Sequence, residues 1–129
     1  MDKTIEISRT FRLQSAHRLP NVPEDHKCHR MHGHSWTINI YLTGETEPEM
    51  GWVADFADIG AIWRERIHDV LDHRVMNDVI PNPTSENVCM WIYGTLVGLV
   101  QAIGLRITEV EVSEDEVSSA RLRIDGASK

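Results

Sequence analysis

The apolar residues of this chain change period twice, and that change restricts the fold more than any other feature. Residues 4–14 alternate, with Ile5, Ile7, Phe11 and Leu13 on one parity and Thr4, Glu6, Ser8, Thr10 and Arg12 on the other. A two-residue period belongs to a strand buried on one side. Residues 35–43 repeat it with Trp36, Ile38, Ile40 and Leu42. The period then lengthens to that of a helix: Ile59, Ile62, Trp63, Ile67, Val70 and Leu71 form one stripe, with Asp55 or Asp58 placed to cap it. Residues 74–83 read as a loop ending in Asn82-Pro83. Thr84 or Ser85 then caps a second helix, whose apolar face runs through Val88, Ile92, Leu96, Leu99, Val100 and Ile103 and stops at Gly104. Two more strands follow, at 106–114 and 119–125, around an acidic turn near Asp115. The order is β-β-α-α-β-β. Segregated strands and helices predict an α+β fold, a four-stranded antiparallel sheet with both helices on one face.

Length and composition agree. The 129 residues suit one domain spanning 1–129, and 41% hydrophobic against 26% charged residues is the balance of a globular protein. No apolar run approaches the length of a membrane span. The opening MDKTIEISRTF has no apolar core of the signal type. Thirteen Lys and Arg against twenty Asp and Glu give a net charge of −7, the opposite of a nucleic-acid footprint. The two cysteines, Cys28 and Cys89, lie far apart, which fits a reducing, cytoplasmic setting better than a disulfide framework.

Five of the seven histidines fall within residues 17–34. His32 and His34 flank Gly33, and in a strand residues i and i+2 project to one side. Two imidazoles so placed can share a metal ion, and Gly33 is expected to let the backbone approach and to remove a competing side chain. His17, just past the first strand, supplies a third imidazole if strands one and two form an antiparallel hairpin. Three neutral imidazoles suit Zn²⁺ and leave one coordination position open. Cys28, four residues before His32, reads either as a fourth ligand closing a structural site or as a reactive thiol beside the metal. His26 and His29 read as loop histidines, and Cys89 as a buried, inert thiol within the second helix.

A second cluster lies downstream. Asp72-His73 ends the first helix, where a histidine is favoured by the helix dipole alone, but where a carboxylate can also orient an imidazole and raise its basicity. Together with Cys28 they would form a proton relay. Glu114 closes the third strand on the parity of Val110 and Val112, so its carboxylate is expected to face a pocket and to need donors there.

The segments SAHRLP (15–20), HKCHRMHGHS (26–35), GWVADF (51–56), LDH (71–73), NPTSE (82–86) and VSE (112–114), in this order, resemble the 6-pyruvoyltetrahydropterin synthase family. Within it they look like the bacterial 6-carboxy-5,6,7,8-tetrahydropterin synthases. The short gap from Cys28 to His32 is similar to that branch, whereas His29 stands where close relatives often carry a small residue. The resemblance implies the tunnelling fold, or T-fold, whose subunits join their sheets into barrels. A homo-oligomer follows, a hexamer or tetramer with active sites between neighbours. It implies Zn²⁺ on His17, His32 and His34, Cys28 as the catalytic thiol, and Asp72 with His73 as its relay partners. Glu114 matches the carboxylate that anchors the pterin's amino-pyrimidine edge. Thr84, Ser85 and Glu86 match a segment near the pterin pocket. Lys27 and Arg18, by charge and position, are candidates for the substrate's triphosphate.

The implied substrate is 7,8-dihydroneopterin triphosphate, and the implied products are 6-carboxy-5,6,7,8-tetrahydropterin, acetaldehyde and triphosphate, a step toward queuosine and other 7-deazapurines. Triphosphate elimination to 6-pyruvoyltetrahydropterin is the alternative reaction. A non-catalytic, zinc-stabilised binding module with Cys28 as fourth ligand is the alternative of a different class. No G-x-G-x-x-G segment is present, in keeping with chemistry that draws its reducing power from the substrate.

Overall fold

The computed structural model describes residues 3–124. Strand β1 (Glu6–His17) and strand β2 (His32–Thr43) pair antiparallel over their whole length, from Glu6 opposite Thr43 to His17 opposite His32. Both strands start or end outside their expected limits. β1 continues three residues beyond position 14, because Ser15, Ala16 and His17 find partners in His34, Gly33 and His32. Ile5, counted with the buried parity, precedes the strand and is exposed.

Helix α1 (Phe56–Trp63) starts at Asp55, whose carboxylate accepts the Ala57 N–H at 2.9 Å. It passes without a break through a π-helical turn, Arg64–His68, into a last α-turn, α2 (Asp69–Leu71). The chain then forms strand β3 (Arg74–Val75), which pairs parallel to β1 at Ser15 and Ala16. Helix α3 (Ser85–Gln101) is capped by Thr84, which accepts the Asn87 N–H at 3.0 Å. It ends two residues before Ile103, which is exposed rather than part of the apolar face. Gly104, at φ +85°, turns the chain into strand β4 (Arg106–Ser113). Asp115 accepts the N–H groups of Val117 and Ser118 in the turn to strand β5 (Ala120–Arg123). Asp125, the expected end of this strand, lies outside the described residues.

The architecture is α+β, but the sheet differs from the expected four antiparallel strands. It has five, in the order β3-β1-β2-β4-β5, and its β3–β1 pair is parallel. Two residues are too short to show a period, so β3 is made by tertiary pairing rather than by local pattern. One face of the sheet packs on the helices: Leu13, Trp36, Ile38, Ile40, Leu42, Val110 and Val112 meet Ile59, Trp63, Ile67, Leu71, Val88, Ile92 and Leu96. Phe11 and Trp63 stack with ring centroids 4.3 Å apart. The opposite face is polar and cross-linked, with Asn39 donating to Glu111 at 2.8 Å and Arg121 to Glu111 at 3.0 Å. Among the described residues, the outer edge of β1 beyond its contact with β3 and the outer edge of β5 pair with no further strand.

Candidate metal centre and active site

The β1–β2 register assembles the site. His17 lies opposite His32, and His34 opposite Ser15, so all three imidazoles share the helix-facing side at one end of the hairpin. His17 is the last residue of β1 rather than a residue beyond it. Ring centroids are 4.6 Å apart for His17 and His32, 5.2 Å for His17 and His34, and 4.9 Å for His32 and His34. One nitrogen from each ring falls within 4.8 Å of the other two. Trp36 packs edge-on against His17 and His34 and donates its indole N–H to Ser15 O at 3.0 Å, closing the floor of the cluster.

Two of the rings are held by their far nitrogens. His17 Nδ1 lies 2.8 Å from Pro83 O, and His32 Nδ1 lies 2.7 Å from Arg30 O. A carbonyl can only accept, so each Nδ1 carries the proton and each Nε2 presents a lone pair. His17 Nε2 and His34 Nε2 are buried with no hydrogen-bond partner. Buried ring nitrogens without a partner are costly, and a cation between the rings resolves them. Burial of His17, only 1% exposed, pushes its pKa down, and the neighbouring imidazoles push the same way against the Pro83 carbonyl and Glu114. The neutral form is the one that ligates. The triad therefore fits a metal ion by its own chemistry.

Gly33 plays a different part from the expected one. It faces away from the triad, and a Cβ there would meet nothing nearer than Ser15 O at 4.0 Å. Neither close backbone approach nor clearance for the metal requires it.

Glu114 follows β4 directly, and its Oε2 lies 3.5 Å from both His17 Nε2 and His34 Nε2. The carboxylate thus stands at the triad. Cys28 lies in a 3₁₀ turn, Lys27–His29, half-buried, with its N–H donated to His26 Nδ1 at 3.0 Å and its carbonyl accepting the Leu19 N–H at 2.8 Å. These bonds hold the thiol-bearing turn against the chain just past His17. Among the described residues the mutually close ligand atoms are the three imidazoles; the Cys28 sulfur is not one of them.

Asp72 and His73 form a unit at the β1 edge. Asp72 Oδ1 accepts the Gln14 N–H at 2.9 Å, and Asp72 Oδ2 meets His73 Nδ1 at 2.8 Å. The Gln14 N–H holds the Asp72 carboxyl below its usual value, aided by His73 and then His68 against partial burial. This contribution to stability is complete above the ordinary carboxyl range and is lost as pH falls through the depressed value. His73 adopts φ +57°, a conformation rare outside glycine, fixed by its N–H bond to Gln14 O. Its ring is 76% exposed and, with His34, lines a cavity of about 480 Å³. No hydrogen bond or ion pair joins Cys28 to Asp72 or His73 among the described residues.

The remaining expected residues are dispersed. Thr84 spends its hydroxyl on the α3 cap, and Ser85 and Glu86 open the helix, with Glu86 exposed. This segment reaches the triad through the Pro83 carbonyl. Arg18 is held by its backbone, clamped on both sides by the Asn77 amide at 2.9 Å, while Lys27 projects outward. The sequence pattern does not disclose the Pro83 and Arg30 carbonyls or the Asn77 clamp, because a backbone carbonyl and a single Asn leave no pattern of their own.

The two thiols differ in a measurable way. Burial pushes Cys89 up to about 11, and its sulfur contacts Ala120 O and Val110 O. At about pH 8 the native protein should label at Cys28 alone, and at both cysteines once denatured. Mass spectrometry of the alkylated protein reads the difference; native labelling of Cys89 contradicts it.

A helix-backed sheet of this order with a three-imidazole centre at its hairpin end places the chain in the tunnelling-fold class. More narrowly, the chain belongs to the 6-pyruvoyl tetrahydropterin synthase family, whose family model matches residues 6–125. A Synechocystis 6-carboxy-5,6,7,8-tetrahydropterin synthase is 34% identical over 122 residues, covering 89% of this chain and 90% of that one. A Dictyostelium discoideum 6-pyruvoyl tetrahydrobiopterin synthase is 24% identical over 129 residues, covering 90% and 93%. The solved structure of the Caenorhabditis elegans 6-pyruvoyl tetrahydropterin synthase superposes with a TM-score of 0.82 at 21% identity, over 95% of this chain and 97% of that one. The chain is a pterin-synthase homologue with a candidate metal centre, and no helix among its described residues is long and apolar enough to cross a membrane.

Proposed function

We propose that this chain, acting as one unit over residues 1–129, converts 7,8-dihydroneopterin triphosphate and water into 6-carboxy-5,6,7,8-tetrahydropterin, acetaldehyde and triphosphate. The observation that carries this reading is the triad of His17, His32 and His34, in which the Nε2 atoms of His17 and His34 are buried and without a hydrogen-bond partner. These residues would hold Zn²⁺. Zinc bound there supplies Lewis-acid chemistry toward the hydroxyls of the substrate's side chain. The Cys28 thiol and the Asp72–His73 pair exchange protons with carbon and oxygen of that side chain. The carbon beside the ring becomes a carboxylate and the next becomes the aldehyde of acetaldehyde, giving up four electrons. Two reduce the pterin ring and two convert the phosphate-bearing carbon to the methyl group as triphosphate leaves, so the electrons balance within the substrate.

Glu114 accepts from the amino-pyrimidine edge of the pterin, with Thr84, Ser85 and Glu86 along the same pocket, and Lys27 with Arg18 takes the triphosphate. That no hydrogen bond or ion pair joins Cys28 to Asp72 or His73 among the described residues favours a site completed by a neighbouring copy. The edges of β1 and β5 that have no further strand partner among the described residues favour the same arrangement, since joining sheets satisfies both. A hexamer or tetramer in the cytoplasm, supplying 7-deazapurine synthesis such as that of queuosine, completes the reading.

Incubating the zinc-loaded protein with 7,8-dihydroneopterin triphosphate tests it. Acetaldehyde released in step with 6-carboxy-5,6,7,8-tetrahydropterin is expected. Triphosphate with 6-pyruvoyltetrahydropterin and no acetaldehyde would assign the elimination reaction instead. Neither product would leave a zinc-stabilised binding module.

A further inference from the structure

The Asp72 carboxylate has a second imidazole beside it. The π-helical turn Arg64–His68 ends on His68, whose Nε2 stands 3.3 Å from Asp72 Oδ2. The same oxygen meets His73 Nδ1 at 2.8 Å. The other nitrogen of His68 lies 3.3 Å from Asp69 Oδ1. Arg9 and Arg12 from β1 and Arg64 from the start of the same turn line the cleft of about 260 Å³ that His68 also lines. One carboxylate thus accepts a backbone N–H, bonds one imidazole and stands 3.3 Å from a second. π-turns inside α-helices recur at functional sites, and here the turn ends on the residue that reaches Asp72.

A carboxylate turns readily about its last torsion unless both oxygens are held. Gln14 holds Oδ1, and His73 is mostly exposed, so its ring alone is a mobile restraint on Oδ2. His68 is less exposed, its ring 34% accessible, and its two nitrogens each lie 3.3 Å from a carboxylate oxygen, Nε2 from Asp72 Oδ2 and Nδ1 from Asp69 Oδ1. We propose that His68 is a positioning residue for the Asp72–His73 pair, fixing the carboxylate so that Oδ2 stays on His73 Nδ1. The inference rests on the relay role assigned to that pair above.

The test uses the full-length, zinc-loaded protein. His68→Phe removes both nitrogen contacts and keeps a ring in place; His68→Gln returns an N–H donor. Expected for H68F is a fall in kcat of about tenfold at unchanged KM, the scale of losing a residue that orients a reacting group. H68Q should recover most of it. The Asp72 carboxyl carbon, followed by NMR, should titrate at higher pH in H68F than in the parent. An unchanged Asp72 titration, or kcat within about twofold of the parent, overturns the proposal. If H68F does not fold, His68→Ala is read by the same measurements. Full turnover in Asp72→Asn would instead overturn the relay reading, and the carboxyl titration then decides alone whether His68 positions Asp72.

Discussion

If His17, His32 and His34 hold zinc as proposed, His34→Ala is expected to fold and to fail to retain the metal. His34 is half-buried, and its Nε2 has no hydrogen-bond partner, so the side chain contributes little to the fold beyond its packing on Trp36. The core of Trp36, Ile38, Ile40 and the helices is independent of it. Zinc affinity should fall by more than about 100-fold, because a lost ligand exceeds the 10–100-fold effect of a lost orienting partner. Turnover of the pterin triphosphate should be undetectable. Metal analysis of the purified variant with its circular-dichroism melt checks both halves. A variant that keeps one zinc per chain would remove His34 from the centre. A variant that unfolds would show that the imidazole is structural.

Cys28→Ala separates a reactive thiol from a ligand. The Cys28 sulfur is not among the mutually close ligand atoms, and the backbone of its turn is held by His26 Nδ1 and Leu19 N–H, which alanine leaves intact. The variant should keep its zinc and its melting temperature and lose turnover by about 10²–10⁴-fold, the range for removing a positioned acid–base group. Zinc content and kcat, measured on one preparation, give the answer. Loss of zinc together with stability would instead make Cys28 the fourth ligand of a closed site.

The sequence made the triad readable because strand parity is strict. Alternation through Ile7, Phe11 and Leu13 carries on to His17, and alternation back from Trp36 reaches His34 and His32. The caps at Asp55 and Thr84 were readable for a similar reason, since a short polar side chain ahead of a helical stripe has a local job. What escaped depends on distant partners. β3 is a strand only because Ser15 and Ala16 lie beside it. The π-turn at Arg64–His68 breaks no sequence pattern, yet it ends on the residue beside Asp72. Ile103 matched the apolar period of α3 but falls after the helix has ended. Gly33 invited a functional account from its place between two histidines, whereas its parity turns it to the other face. Glu114 could be assigned to the helix-facing side from its parity with Val112, but its closeness to two imidazoles required the β2–β4 register.

The most direct test of the account is X-ray absorption at the zinc edge of the purified protein. Three imidazole shells at about 2.0–2.1 Å with a light oxygen or nitrogen neighbour and no sulfur are expected. A sulfur shell at about 2.3 Å, or fewer than three imidazoles, would contradict an open three-histidine centre.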